Sequence, residues 1–224
     1  MPTTALNLQT VPFLSGLNPA LGRELVGLSE LRRYDDAQRV FSQGEHIPGV
    51  FVVASGSLKV YRTDGRGHIQ VLDFLRPGQC VGEVQVFDRG PIASTAEAHG
   101  ESSCWLIPVE PLHRMVHRSP EVAEVLIHHF AGKVRRLVDL VDALSLHSVP
   151  ERVAQLILEA HERAPARNLA EFEETQEDLA QCIGASREAF SRALRLLADL
   201  GLVHNTFPVV KIVDVEKLKR YARG

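Results

Sequence analysis

The segment TQEDLAQCIGASREAFSRALRLLAD, residues 175–199, holds two helix starts separated by a single glycine. Thr175 with Asp178 three residues on is an N-cap pairing, and Leu179, Ala180 and Ile183 supply the apolar stripe behind it. Gly184 lets the chain turn without steric cost. Ser186 caps a longer helix in which Ala189, Phe190, Ala193, Leu194 and Leu197 recur at helical spacing, and Gly201 stands where such a helix closes. Two helices joined by a short glycine-containing turn form a helix-turn-helix, whose second helix lies in the DNA major groove. Leu202–His204, Asn205–Pro208 and Val209–Val213 then read as strand, turn and strand, which predicts a winged variant.

The front of the second helix carries residue types suited to reading base edges. Arg187 and Glu188 in its first turn face the same way as Ser191 and Arg192 one turn later. Arginine grips guanine through two acceptors at once, and glutamate accepts from the cytosine amino group. Thr175 and Ser186, at the two helix starts, complete the candidate DNA-binding set. The same residues would suit an ordinary solvated helix face, and the strand signals that follow shift the balance toward DNA.

Charge alone does not propose this partner. The chain of 224 residues has a formal net charge of −3, and residues 150–224 hold 11 Lys and Arg against 12 Asp and Glu. Phosphate contacts normally dominate affinity for nucleic acid, so a near-neutral segment supports a rival, a ligand-binding or protein-interaction module. Placement answers the composition: Arg187–Leu197 holds three Arg against one Glu, while the acidic surplus falls between Glu171 and Asp178. The hydrophobic fraction of 45% and charged fraction of 24% are ordinary for a globular protein. No apolar run approaches the roughly 18 residues of a membrane span, and Met1–Asn18 lacks a secretory pattern, so a cytoplasmic protein is expected. Cys80, Cys104 and Cys182 form no CxxC, and Cys182 is expected in the core. The sequence shows no metal set: His113 and His117 are one turn apart without a third ligand near, and His128 and His129 are expected on an exposed helix face. There is no G-x-S-x-G elbow, P-loop or Rossmann fingerprint, so no enzyme is expected.

Upstream, Val40–Val109 alternates short β-like runs (Val50–Ala54, Leu58–Arg62, Ile69–Leu75, Cys104–Pro108) with glycines, which predicts a small β-barrel or jelly-roll. Ser55-Gly56-Ser57 reads as a turn, and Asn18–Arg32 as a leading helix with Pro19 at its first position. Between Pro120 and Ser145, Ala123, Ile127, Phe130, Val134, Leu137, Val141 and Leu144 recur in alternating steps of four and three. That is a coiled-coil seam, and it predicts a parallel homodimer. Leu126, Val138 and Leu140 broaden the stripe, so the helix is expected to serve its own barrel as well. The expected organisation is α+β: residues 1–118 a β-roll sensor domain with a leading helix, 119–146 a dimerisation helix, and 147–224 a winged helix-turn-helix. Pro150 opens a helix over Glu151–Arg163, and Ala164–Asn168 links it to the motif.

Four stretches resemble the Crp/Fnr superfamily of bacterial regulators. They are Gly44-Glu45 with Val50–Gly56, Arg76-Pro77-Gly78-Gln79-Cys80-Val81-Gly82-Glu83, Pro150-Glu151-Arg152-Val153-Ala154, and Ala185–Arg192. The resemblance covers nearly the whole chain. It implies a DNA-binding transcription regulator that acts as a homodimer on double-stranded DNA, with RNA polymerase as a further partner. Glu188 and Arg192 match residues shared by the cyclic-AMP and oxygen-sensing branches, whose half-sites are TGTGA and TTGA followed by a pyrimidine. Arg187 looks like the first branch and Ser191 like the second, so a palindrome containing TGA is expected.

Departures from the family pattern bear on the effector. The implied pocket comprises Gly82, Glu83, Ser94, Leu137 and Val138. Ala93 stands where cyclic-AMP-binding members carry the arginine that neutralises the cyclic phosphate, and Leu137 and Val138 replace the hydroxyl residues that hold adenine. Burying an unpaired phosphate costs several kcal/mol, so cyclic-AMP dependence is not expected. Glu83 is expected to tie its loop together or to meet a ligand hydroxyl. The first 79 residues contain no cysteine, which excludes the usual four-thiolate cluster. No cofactor is expected, with haem-based gas sensing kept as the alternative.

Overall fold

Two long antiparallel strands, β3 (Gly49–Thr63) and β6 (Thr95–Pro108), organise the first of two units in the computed structural model. The structure describes residues 11, 14, 17–163 and 168–224; the units are Met1–Arg135 and Arg136–Gly224. Along β3 the side chains alternate between two apolar cores, as the period of a strand demands. Val50 and Val52 pack with Trp105 and Ile107 beneath helices, whereas Phe51 and Val53 pack with Leu58, Cys104 and Leu106 on the other face. The remaining strands are β1 (Glu30–Tyr34), β2 (Arg39–Phe41), β4 (Ile69–Leu75) and β5 (Cys80–Val81). Their pairing order is β1-β6-β3-β4, with β2 on β6 and β5 on β3, an antiparallel path left open at β1 and β4.

Several sequence expectations change here. The leading helix, α1, covers only Pro19–Leu28; Asn18 caps it through the Ala20 and Leu21 amides, and the Ser29 amide closes it on Val26. Glu30–Arg32, expected to end that helix, opens instead the strand Glu30–Tyr34, which pairs with Ser102–Leu106 of β6, so tertiary pairing overrides local propensity. Ser55-Gly56-Ser57 is no turn. The chain continues through it as one strand with register shifts on either side of Ser55, and Gly56 takes φ +71°. A glycine inside a strand here marks a bulge. Buried Ser102 locks it, its hydroxyl accepting from the Ser57 amide at 3.1 Å and donating to the Ser57 carbonyl at 2.9 Å. Two further helices, α2 (Glu83–Asp88) and α3 (Val109–Arg118), were not foreseen.

The long helix α4 spans Pro120–Leu146, about 40 Å at 1.5 Å per residue, without interruption. It divides its apolar residues between two tasks. Val122 and Leu126 are buried in the helix-side core, and Phe130 packs against it. Ile127, Val134, Leu137, Val141 and Leu144 face solvent in a single chain, and so do Val138 and Leu140. Of the three residues expected to broaden the stripe toward the barrel, only Leu126 does so.

In the second unit α5 (Val149–Glu162) starts with a reciprocal capping box between Ser148 and Glu151, and the Ser148 amide holds the Glu151 carboxyl below the usual carboxylate range. The expected linker lies outside the described residues except for Asn168. Helices α6 (Gln176–Cys182) and α7 (Arg187–Asp199) follow, with the three-stranded sheet β7 (Leu169–Glu171), β9 (Val209–Ile212), β8 (Val203–Thr206) and a final helix α8 (Val215–Tyr221). The wing is therefore a three-stranded sheet, and β7 and α8 are additions to the sequence reading. Val153, Ile157, Phe190, Leu194, Leu197, Val210 and Leu218 form its core. Among the described residues no helix is long and apolar enough to cross a membrane.

The bulge makes a direct prediction. A Cβ on Gly56 would sit 2.5 Å from the Glu101 carbonyl oxygen and would also force a side chain into left-handed backbone. Gly56→Ala is expected to cost about 2–4 kcal/mol in denaturant melting of the full chain, and an unchanged midpoint would contradict the bulge.

Candidate nucleic-acid interface

The two helix starts in 175–199 form as their sequence dictates. Thr175 accepts from the Asp178 amide at 3.2 Å and its hydroxyl donates to the Asp178 carboxylate at 2.8 Å; Ser186 accepts from the Ala189 amide at 3.2 Å. Between them, the Gly184 amide bonds the Gln181 carbonyl and the Ala185 amide bonds the Ala180 carbonyl, with Gly184 at φ +63°. This pair of bonds is a Schellman motif, and it recurs after α7, where Gly201 bonds Ala198 and Leu202 bonds Leu197. Arg152 of α5 adds a guanidinium donor, 2.6 Å from the Ile183 carbonyl at the end of α6. A cation on carbonyls at a helix C-terminus is favourable by both hydrogen bonding and the helix dipole. The turn that sets the angle between α6 and α7 is thus fixed by three separate devices.

The consequence is a defined outer face on α7. Phe190, Ala193, Leu194 and Leu197 are buried beneath it. Arg187, Glu188 and Arg192 are exposed, and Ser191 is half-buried among them. Together with Gln176 and Arg195 these four line one surface concavity. The sequence reading omitted those last two. Arg195 stands one turn beyond Arg192 on the same face and could have been found by continuing the three-and-four spacing; Gln176 carries no such signal. Thr175 and Ser186 act in the structure as caps. The Glu188 carboxyl is held below its ordinary range by its own backbone amide first, then by the Ser186 hydroxyl and the guanidiniums of Arg187 and Arg192. It stays an anionic acceptor throughout the physiological range, with no proton to donate to a base.

The implied effector residues fall in different places. Gly82 takes φ +98° ahead of α2, where a Cβ would meet the Ile47 side chain at 2.5 Å. Glu83, next in the chain, is 1% exposed, and its carboxylate receives Lys133 and, at 3.3 Å, the ring of His129. Ser94 is buried and Ala93 exposed in the loop before β6. Leu137 and Val138 are solvent-facing and belong to the other unit. His129 is a correction: its side chain is 7% exposed, because it points to Glu83 and Cys80 on the inner side of α4, while neighbouring His128 is exposed as expected. His113 is half-buried, its ring 2.6 Å from the Val86 carbonyl; His117 is exposed. Cys104 is fully buried, and desolvation pushes its thiol up to about 12; Cys182, expected in the core, is half-buried.

Comparison with known proteins assigns both regions. Residues 31–119 match the cyclic nucleotide-binding domain family and residues 151–221 the Crp-like helix-turn-helix domain family. The chain is 31% identical over 188 residues to a CRP-like cAMP-activated global transcriptional regulator of Mycobacterium tuberculosis, covering 82% of this chain and 84% of that one. It is 28% identical over 213 residues to the cyclic AMP receptor protein of Thermus thermophilus, covering 95% and 97%. The fold is shared with FixK2 from Bradyrhizobium japonicum, at a TM-score of 0.76 and 23% identity over 86% of this chain and 96% of that one. With a sheet-built first unit, an unbroken long helix and a helix-turn-helix that all match in order, the chain belongs to the Crp/Fnr family of DNA-binding transcription regulators, which are not enzymes.

Proposed function

We propose that this protein is a sequence-specific regulator that binds a TGA-containing palindrome as a homodimer and does not depend on cyclic AMP. The observation that carries the DNA-reading part is the face of α7: Arg187, Glu188, Ser191 and Arg192 share one concavity while the opposite side of the helix is buried. Two arginines and a permanently anionic carboxylate, one helical turn apart, supply a bidentate guanine donor and a cytosine-amino acceptor for adjacent base pairs. The homodimer rests on the α4 seam, whose five core-type side chains stand in water in a single chain. Pairing them along a two-fold axis buries that surface, and two-fold symmetry suits a palindrome whose half-sites lie about 34 Å apart, one helical turn of DNA. Cytoplasmic placement and contact with RNA polymerase follow from the same reading.

Independence from cyclic AMP is supported by the surroundings of Glu83. Several relatives are named for activation by cyclic AMP, but here Ala93 brings no cation to a cyclic phosphate, and Lys133 and His129 already engage the Glu83 carboxylate. His129 offers a porphyrin no open axial position: its ring nitrogen lies 3.9 Å from Cys80 Sγ and 3.3 Å from Glu83 Oε1.

Two measurements check this reading. Arg192→Ala is expected to lose about 1–3 kcal/mol of preference for the palindrome over random duplex in competition titrations, and an undiminished preference would remove Arg192 from the base-reading set. Calorimetry with cyclic AMP is expected to show no micromolar binding; a micromolar dissociation constant would overturn the effector part.

A further inference from the structure

Cys80, Glu83 and His129 come together from β5, the start of α2 and α4. One ligand atom from each lies within 4.8 Å of the other two. Tetrahedral zinc, with bonds of about 2.3 Å to sulfur and about 2.0–2.1 Å to nitrogen or oxygen, sets sulfur about 3.6 Å from nitrogen and nitrogen about 3.3 Å from oxygen. The observed separations are 3.9 Å for Cys80 Sγ to His129 Nε2 and 3.3 Å for His129 Nε2 to Glu83 Oε1. All three side chains are more than nine-tenths buried. Lys133, one helical turn beyond His129, closes the group with its ammonium on Glu83, and its side chain remains one-third exposed.

We propose that Cys80, Glu83 and His129 form a binding site for a zinc-class divalent metal ion, with Lys133 as the cation that the metal displaces. Charge balance permits the exchange. With lysine in place, one carboxylate faces one ammonium. With metal in place, a doubly charged ion faces one thiolate, one carboxylate and a neutral imidazole, and the assembly is again neutral. The Cys80 thiol proton passes to solvent as the metal–sulfur bond forms, and the Lys133 ammonium swings into water along its exposed edge. A thiolate and an imidazole select zinc or its transition-metal neighbours over magnesium or calcium. Three protein ligands leave the fourth tetrahedral position to water. The metal would tie α4, the helix bearing the seam, to β5 and α2 of the sheet. The site itself stands independently of any reading of α7.

The test uses chelator-stripped full-length protein titrated with cobalt(II) alone, followed by zinc affinity from equilibrium dialysis. One cobalt per chain and a near-ultraviolet thiolate-to-cobalt band are expected. That band should vanish in Cys80→Ser and His129→Ala and persist in Cys104→Ser and Cys182→Ser, with far-ultraviolet circular dichroism checking each fold. Lys133→Met, which keeps every ligand, is expected to tighten zinc by about tenfold because the competing ammonium is gone. No band at one equivalent, a band that survives Cys80→Ser, or a band lost only with Cys182→Ser would overturn the site. Zinc affinity unchanged or weakened in Lys133→Met would overturn the exchange and leave Lys133 without a part in metal binding.

Discussion

The apolar seam of α4 is the constraint on which the remainder of the molecule turns. Val122 and Leu126 are satisfied by the sheet unit, but Ile127, Val134, Leu137, Val141 and Leu144 are between 46% and 66% exposed in one chain. Fully burying a side chain of this kind is worth about 1.5–3 kcal/mol, so five of them hold a large share of what a stable fold has to spare. In the proposed dimer the seam meets itself across a two-fold axis, an isologous contact in which each residue faces its own copy or a neighbour. Symmetry then does for the DNA what no single chain could do: it presents two identical reading faces to two half-sites.

The proposed reading face is positioned by helix ends. Both turns that bracket α7 close through Schellman bonds at Gly184 and Gly201, and Arg152 reaches from α5 to the carbonyl at the end of α6. These devices hold the angle between helices, and a bidentate base contact, worth about 1–3 kcal/mol of discrimination, depends on such fixed placement. What matters is that Arg187, Arg192 and Arg195 project on one side of a helix whose other side is core.

The legible parts of the sequence are those written in local chemistry. Caps at Thr175 and Ser186, the left-handed glycines and the four-three apolar rhythm of α4 each specify backbone within a few residues. The misread parts depended on partners distant in the chain. Glu30–Arg32 looks helical until β6 offers it a pairing edge more than seventy residues away. Gly56 looks like a turn because the sequence does not show that β3 continues past it along β6. His129 looks solvated for the same reason: its neighbours, Cys80 and Glu83, lie nearly fifty residues earlier, and only the fold brings them to the inner side of α4. The four base-reading candidates were legible as a group because one helix carries them all, and continuing the count one turn further reaches Arg195 in the same concavity.

The most direct test of the account is sedimentation of the wild-type chain beside a Val134→Asp, Val141→Asp double variant, each with a palindromic duplex. The wild type should sediment as a dimer on DNA. Charges at two seam positions cannot be buried unpaired, so the variant should be a folded monomer whose affinity for the palindrome falls to that for a single half-site. A wild type that stays monomeric at high concentration, or a variant that dimerises undisturbed, would contradict it.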